Sequence, residues 1–310
     1  MAAVQLRSTA SPEENRDAVV RLVREAAGRG ATYVQTPEVT NFVQRDRAAA
    51  TKLIVPERED VTLAALRALA AELSITVHIG SLAVRDGAAW RNRGLMIDPE
   101  GEVVARYDKI HMFDVALPSG ETFRESATYT AGDGVVLVDV GGAKVGMTIC
   151  FDLRFPRLYE ELAVAGATVL TAPSAFAAST GRDHWHALLR VRAIENGAFM
   201  IAAAQEGLHQ DGRKTYGHSM IVAPWGDVLA EATDTPSVIV ADLDLSLVER
   251  MRGQIPVLSA RRPFTVRHAT RAVDVGDERV PIAYAQEDRG AGPEEAQRPS
   301  AAAPGLRRAS

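Results

Sequence analysis

Residues 145–156, V-G-M-T-I-C-F-D-L-R-F-P, constrain the fold most. Residues 145–149 are an apolar run with β-branched side chains, the pattern of a buried strand. Polar Asp152 and Arg154 follow at once, and Pro156 sits where its fixed φ suits the first turn of a helix. A buried strand leading into a helix is a unit of a layered α/β domain. The run ends in Cys150, the only cysteine of the chain. Open α/β sheets carry their chemistry just beyond the C-terminal ends of strands. A free cysteine among apolar residues is ordinarily an inert small hydrophobe, so this stretch alone leaves the role of Cys150 open.

The rest of the chain repeats the alternation. A short strand at residues 3–9 precedes a helix signalled by Ser11 as N-cap, Pro12, Glu13 and Glu14, which ends near Gly28-Arg29-Gly30. Residues 31–35 form a strand that runs into Thr36-Pro37-Glu38. A helix over 61–73 leads to strands at 75–83, 90–97 and 103–107, with turns at Asp86-Gly87 and Asp98-Pro99-Glu100-Gly101. Residues 108–134 are polar and interrupted, and long loops in compact domains are usually functional. Strands at 135–140 and 143–149 form a hairpin that delivers Cys150. Beyond it come a helix at 158–165, a strand at 168–171, a helix at 183–196 and a strand at 198–204. Strands at 216–222, 228–231 and 237–243 and a helix at 245–253 complete the pattern. The pattern fades after about residue 271, and from about 286 the chain has almost nothing to bury, so a disordered tail is expected. The expectation is one α/β domain with mixed sheets over residues 1–270, plus a C-terminal extension over 271–310.

Composition narrows the function. With 310 residues and a net charge of −5, the chain buries a substantial core and has no general attraction for nucleic acid or anionic membrane. No apolar run approaches the roughly 18 residues of a membrane span. The opening M-A-A-V-Q-L lacks the basic and apolar regions of a signal peptide, and a cytoplasmic location is expected. One cysteine excludes an intramolecular disulfide framework and a Cys-rich metal cluster.

Three polar residues occupy similar places after strands: Glu38 after 31–35, Lys109 after 103–107 and Cys150 after 143–149. Singly, the Glu and the Lys read as surface residues. Together they make chemical sense. A thiol of ordinary pKa about 8.5 needs activation to attack a carbonyl. A carboxylate takes its proton, and an ammonium stabilises the developing negative charge. The backbone N–H of Phe151 could add a second oxyanion donor, and Glu125 in the long loop could position Lys109 or assist proton transfer. A Cys–His pair is the rival. Its candidates are His111, His184, His186 and His218, none in a cysteine-protease signature. His184 and His186, two apart on a helix, diverge and make a poor metal pair. No glycine motif supports nucleotide binding.

The chain resembles the nitrilase superfamily of carbon–nitrogen hydrolases. The resemblance rests on T-P-E at 36–38, Y-D-K-I-H-M-F-D at 107–114, E-S at 125–126 and I-C-F-D-L-R-F-P at 149–156, which occur in the family's order. It implies an α-β-β-α sandwich and hydrolysis of a small carboxamide to carboxylate and ammonia through a Cys thioester, with no metal or organic cofactor. It implies Glu38 as general base, Lys109 as oxyanion stabiliser, Cys150 as nucleophile and Glu125 as auxiliary carboxylate. P-S-A-F at 173–176, T-G-x-x-H-W at 180–185, L-L-R-x-R-A-I-E at 188–195 and Y-G-H-S at 216–219 resemble the Nit branch. That branch implies deaminated glutathione as substrate, with 2-oxoglutaramate-type amides or carbamoyl compounds as alternatives, and a homodimer or larger assembly. Arg154 is the candidate for a substrate carboxylate, against an ion pair with Asp152. Ser174, Phe176, Thr180 and Glu206 are expected to line the pocket, and the 188–195 helix to serve core and subunit contact. A catalytically silent scaffold and a redox-sensing thiol are readings of other classes.

Overall fold

A computed structural model of the chain describes residues 1–117, 120–266 and 280–281. It divides into two compact units, Met1–Ala260 and Arg261–Ser310. In the second unit Thr265–Val266 pairs antiparallel with Val280–Pro281, and the tail expected from about residue 286 lies outside the described residues.

The first unit opens with β1 (Ala2–Gln5), α1 (Pro12–Gly28), β2 (Tyr33–Gln35), α2 (Arg47–Leu53), α3 (Val61–Leu73), β3 (Thr76–Asp86), β4 (Ala89–Ile97) and β5 (Val103–Asp108). A ribbon of β6 (Asp114–Ala116) and β7 (Thr122–Arg124) follows. Next come β8 (Val136–Val140), β9 (Ala143–Met147), α4 (Pro156–Val164), β10 (Val169–Thr171), α5 (Ala178–Asn196) and β11 (Phe199–Ala202). A second ribbon, β12 (Glu206–Leu208) with β13 (Lys214–Tyr216), precedes β14 (Met220–Val222), β15 (Val228–Glu231), β16 (Ser237–Val240) and α6 (Ser246–Gln254).

The main strands form two six-stranded mixed sheets, ordered β16-β1-β2-β3-β4-β5 and β15-β14-β11-β10-β9-β8. Read from β16 and from β8, both show the same pairing sequence: antiparallel, parallel, parallel, antiparallel, antiparallel. Each parallel pair is joined through a helix, as parallel strands require. The helices coat the outer faces. Val19, Leu22 and Val23 of α1 and Leu63, Leu66 and Leu69 of α3 cluster with Val4, Val77, Ile79 and Leu95 of the first sheet. Leu158 and Leu162 of α4 and Trp185 and Leu189 of α5 cluster with Val145, Val169 and Met200 of the second, and Ala3, Tyr33 and Met96 join that cluster from the first sheet. The order is therefore helices, sheet, sheet, helices, the expected sandwich. Burying each of these aliphatic side chains contributes about 1.5–3 kcal/mol.

Local chemistry sets the helix starts. The Ser11 hydroxyl accepts from Glu14 N with Pro12 in the first turn, and Asp60 caps α3 through Leu63 N. Several boundaries depart from the sequence pattern. Helix α2, capped by Asp46, is absent from the sequence expectation. Helix α5 starts at residue 178 rather than 183. The strand expected over 216–222 is broken, because Gly217 (φ 71°) and His218 (φ 56°) turn the chain out of the β12–β13 ribbon into the second sheet.

Polar side chains also bridge the sheets. Gln35 Oε1 accepts from Ala203 N at 2.9 Å, and its amide faces His78 Nδ1 at 3.2 Å, which also lies 2.8 Å from the Tyr33 hydroxyl. Burial of His78 lowers its pKa from 6.5 to about 3. The unfolded chain therefore takes up this proton first, and the associated stability is present above about pH 6.5 and lost as pH falls towards 3. Between pH 7 and pH 5 the loss is expected to be about 2 kcal/mol in urea denaturation, by proton linkage. His78→Gln should shrink the wild-type pH dependence by that amount, and an unchanged dependence would contradict the assignment.

Candidate active site

The ends of β2, β5, β9 and β10 open on one cavity of about 330 Å³, whose lining includes Glu38, Lys109, Glu125 and Cys150. The chain enters it by tight, well-bonded turns. After β2, Thr36 N donates to His78 O at 2.9 Å and the Thr40 hydroxyl to Pro37 O at 2.7 Å, so Glu38 sits in a fixed loop with Val39 at φ 49°. After β9 the backbone passes into a 3-10 turn over Cys150–Arg154. Cys150 itself has φ 49° and donates its N–H to Pro173 O at 2.9 Å. A non-glycine residue at positive φ is strained and persists only where its surroundings fix it.

Gly80 lies between the two turns. A Cβ there would come within 1.9 Å of Thr36 O and 2.3 Å of Pro173 Cβ, so only glycine lets the Glu38 and Cys150 loops approach. Asp152 is the other anchor. Its buried carboxylate accepts from Ile149 N at 2.9 Å, Tyr107 Oη at 2.7 Å and His111 N at 3.1 Å, and contacts His111 Nδ1 at 2.7 Å. It thus ties the Cys150 turn to the segment carrying Lys109. The His111 ring stacks on Phe155 with centroids 3.5 Å apart.

The charged groups form one cluster. Lys109, 2% exposed, places Nζ 2.8 Å from Glu38 Oε1 and 3.0 and 2.8 Å from the two Glu125 oxygens. These contacts use all three ammonium protons. Glu38 Oε2 accepts from Ala175 N at 2.8 Å, and the Cys150 thiol shares the cavity with the Glu38 carboxylate. Burial alone would raise the Glu38 pKa, but the ammonium of Lys109 and these hydrogen bonds outweigh it and hold the carboxyl below its usual range. Lys109 likewise resists burial, because Glu125 and Glu38 raise its pKa well above normal. Burial, then the adjacent Glu38 charge, push the Cys150 thiol well above its ordinary pKa. The resting cluster is therefore an ionised Glu–Lys–Glu with a protonated thiol. The proton sits on sulfur, with an ionised carboxylate ready to receive it.

Asn92 is a member that the sequence reading missed. Its amide donates to Glu38 Oε1 at 2.9 Å and to Glu125 Oε1 at 3.0 Å, holding the two carboxylates around the ammonium. Asparagine is depleted in strands, so its place inside β4 was the available signal.

Of the other expected residues, Phe151, Arg154, Phe176 and Thr180 line the cavity. Arg154 does not pair with Asp152, whose oxygens are taken as described. It lies over the Phe176 ring at 5.1 Å and donates to His184 Nδ1 at 3.3 Å, and no carboxylate among the described residues pairs with it. Phe151 is the second residue of the 3-10 turn, where backbone N–H groups lack partners within the turn. Ser174 and Glu206 are not brought to the cavity. The Ser174 hydroxyl turns back to Ala172 O at 2.8 Å, and Glu206 on β12 pairs with Arg7 at 2.7 Å. The exposed face of the 188–195 helix likewise lies away from the lining. In return, Arg45, Arg47, Arg124 and Arg213 join Arg154 around the cavity.

Comparison with known proteins identifies the family. The carbon–nitrogen hydrolase family profile matches residues 1–253. The deaminated glutathione amidase of Mus musculus is 41% identical over 271 residues, covering 85% of this chain and 83% of its own. The NitFhit protein of C. elegans superposes with a TM-score of 0.79 at 33% identity, over 90% of this chain and 70% of its own. An amidase from Nesterenkonia sp. AN1, captured with acrylamide added at its active site cysteine, superposes with a TM-score of 0.69 at 25% identity, over 82% of this chain and 97% of its own. The chain belongs to the carbon–nitrogen hydrolase family.

Proposed function

We propose that the protein is a thiol amidase whose substrate is an anionic amide, deaminated glutathione, with Cys150 as nucleophile, Glu38 as general base and acid, and Lys109 and Phe151 N–H as stabilisers of the oxyanion. One observation carries the reading: Cys150, Glu38 and the buried Lys109 ammonium meet in a cavity lined by five arginines. The lining holds six cations counting Lys109 and only two carboxylates, Glu38 and Glu125, both committed to Lys109. That local excess of positive charge stands in a chain of net charge −5. Such a mouth attracts an anion and orients its carboxylates by charge-assisted hydrogen bonds.

The chemistry follows from the contacts. Sγ of Cys150 bonds to the amide carbon as its proton passes to Glu38, and the carbonyl oxygen becomes an oxyanion. Phe151 N–H and the Lys109 ammonium face that charge, and one oxyanion donor of this kind is worth roughly 10²–10³ in rate. Protonated Glu38 then gives its proton to the leaving nitrogen, the C–N bond breaks, and a thioester remains. Water attacks the thioester with Glu38 taking its proton, the C–S bond breaks, and sulfur recovers a proton. With deaminated glutathione the leaving group is the cysteinylglycine amine, where a primary amide would release ammonia. Its two carboxylates suit the arginine-lined mouth better than the single carboxylate of 2-oxoglutaramate. The name borne by the mouse relative points the same way.

Turnover of deaminated glutathione, followed by release of 2-oxoglutarate, is expected to exceed that of 2-oxoglutaramate. Cys150→Ala should keep the fold by circular dichroism and lose at least about 10⁴-fold in rate. Substantial residual hydrolysis in that variant would refute the covalent route. Arg154→Ala is expected to raise KM about 10–100-fold for the dianionic substrate, the equivalent of one charged hydrogen bond. An effect on kcat alone would remove Arg154 from substrate recognition.

A further inference from the structure

Outside the cavity, three metal-ligating side chains meet on the second sheet's side of the molecule. His186 comes from α5, His218 from the turn before β14, and Glu231 from the end of β15. One ligand atom from each lies within 4.8 Å of the others. Glu231 Oε1 is 2.9 Å from His186 Nε2 and 2.8 Å from His218 Nδ1. His218 Nε2 is in turn 3.4 Å from Asp234 Oδ1.

This arrangement has a proton-counting problem. A neutral imidazole carries one N–H, yet both ring nitrogens of His218 face carboxylate oxygens. A neutral ring satisfies one of them and presents a lone pair to the other. A cation resolves the conflict, either as a second ring proton or as a metal at Nδ1 with the Nε2 proton kept towards Asp234. The second arrangement is the carboxylate–histidine–metal relay by which ligand histidines are usually fixed. His186 favours it, because a separate element delivers a second imidazole nitrogen to the same carboxylate oxygen.

The His218 ring is held in place for such a role. Tyr216 stacks on it with centroids 4.4 Å apart at 28°, and Trp185 Nε1 donates to its backbone carbonyl at 2.8 Å. The residue is kept at φ 56°, a conformation that needs this support. Two imidazoles and a carboxylate suit zinc and its first-row neighbours and do not suit magnesium or calcium. A tetrahedral ion with ligands about 2.0–2.2 Å away separates them by roughly 3.3–3.5 Å, a small opening of the two Glu231 contacts, and the histidine nitrogens already lie within 4.8 Å of one another. We propose that His186, His218 and Glu231 bind a divalent zinc-class ion that clamps α5 to the β14–β15 hairpin. The clamp bears on the cavity, since the first turn of α5 carries Thr180 in its lining.

The test uses the full chain carrying Cys150→Ala, so that the cavity thiol does not compete for the ion. After chelator treatment, calorimetric titration with zinc is expected to show one high-affinity equivalent. Tm should rise by roughly 5 °C at a hundredfold excess over Kd. His186→Ala and Glu231→Gln, both at side chains that reach solvent, should each weaken binding at least about tenfold, the loss seen even for outer partners of metal ligands. Absence of zinc uptake, which the proton-only arrangement requires, would overturn the proposal. So would uptake that neither substitution changes.

Discussion

The buried ammonium of Lys109 is the interaction on which the site depends. An isolated ammonium does not survive burial in its charged form, and the two carboxylates that keep it charged face the same penalty. The three stabilise one another only as a set, with Lys109 donating one proton to Glu38 and two to Glu125. Removing one member of such a set typically costs about 3–5 kcal/mol, because it leaves a charge uncompensated. Asn92 bonds both carboxylates and spaces them around the ammonium. The set carries one net negative charge, which together with burial keeps the adjacent thiol protonated.

That cluster joins strands of both sheets, so the sandwich must bring its sheets into close and exact register here. Glu38 belongs to the first sheet and Cys150 to the second, and their loops meet over Gly80. The positive φ of Val39 and of Cys150 is the local consequence. Both are pinned from outside the loop. Val39 N donates to Ser81 Oγ at 2.9 Å, and the Cys150 turn is fixed by Pro173 O and by the Asp152 carboxylate. The sheets thus act as rails, and two of the strained backbone positions, Val39 and Cys150, lie in the cavity lining.

The sequence showed what depends on local pattern. Ser11-Pro12 and Asp60 marked helix starts, the apolar run before Cys150 marked a buried strand, and Glu38, Lys109 and Cys150 stood after strand ends that proved to converge. What it could not show depends on contacts distant in sequence. The strand read across 216–222 breaks at Gly217 and His218, because Tyr216 must serve the ribbon while Met220 serves the sheet. Ser174 and Glu206 looked available for the cavity, yet a backbone carbonyl and Arg7 claim them. His184 and His186, two apart on one helix, diverge, so local spacing gives His186 no metal partner. Its partners His218 and Glu231 lie 32 and 45 residues away, beyond the reach of spacing rules.

The charge balance explains why the site uses two glutamates where proton transfer needs one. In the proposed attack the thiol proton neutralises Glu38, and the lost negative charge reappears on the substrate oxygen. The net charge beside Lys109 therefore stays constant through the step, and so does the field holding the ammonium. Glu125 makes this possible: its two contacts keep Lys109 charged while Glu38 is neutral and one ammonium proton turns to the oxyanion. With Glu38 alone, the ammonium would be left with the forming oxyanion as its only counterion. In the proposed mechanism Glu125 thus lets Glu38 change protonation state without discharging Lys109, within a buried cluster.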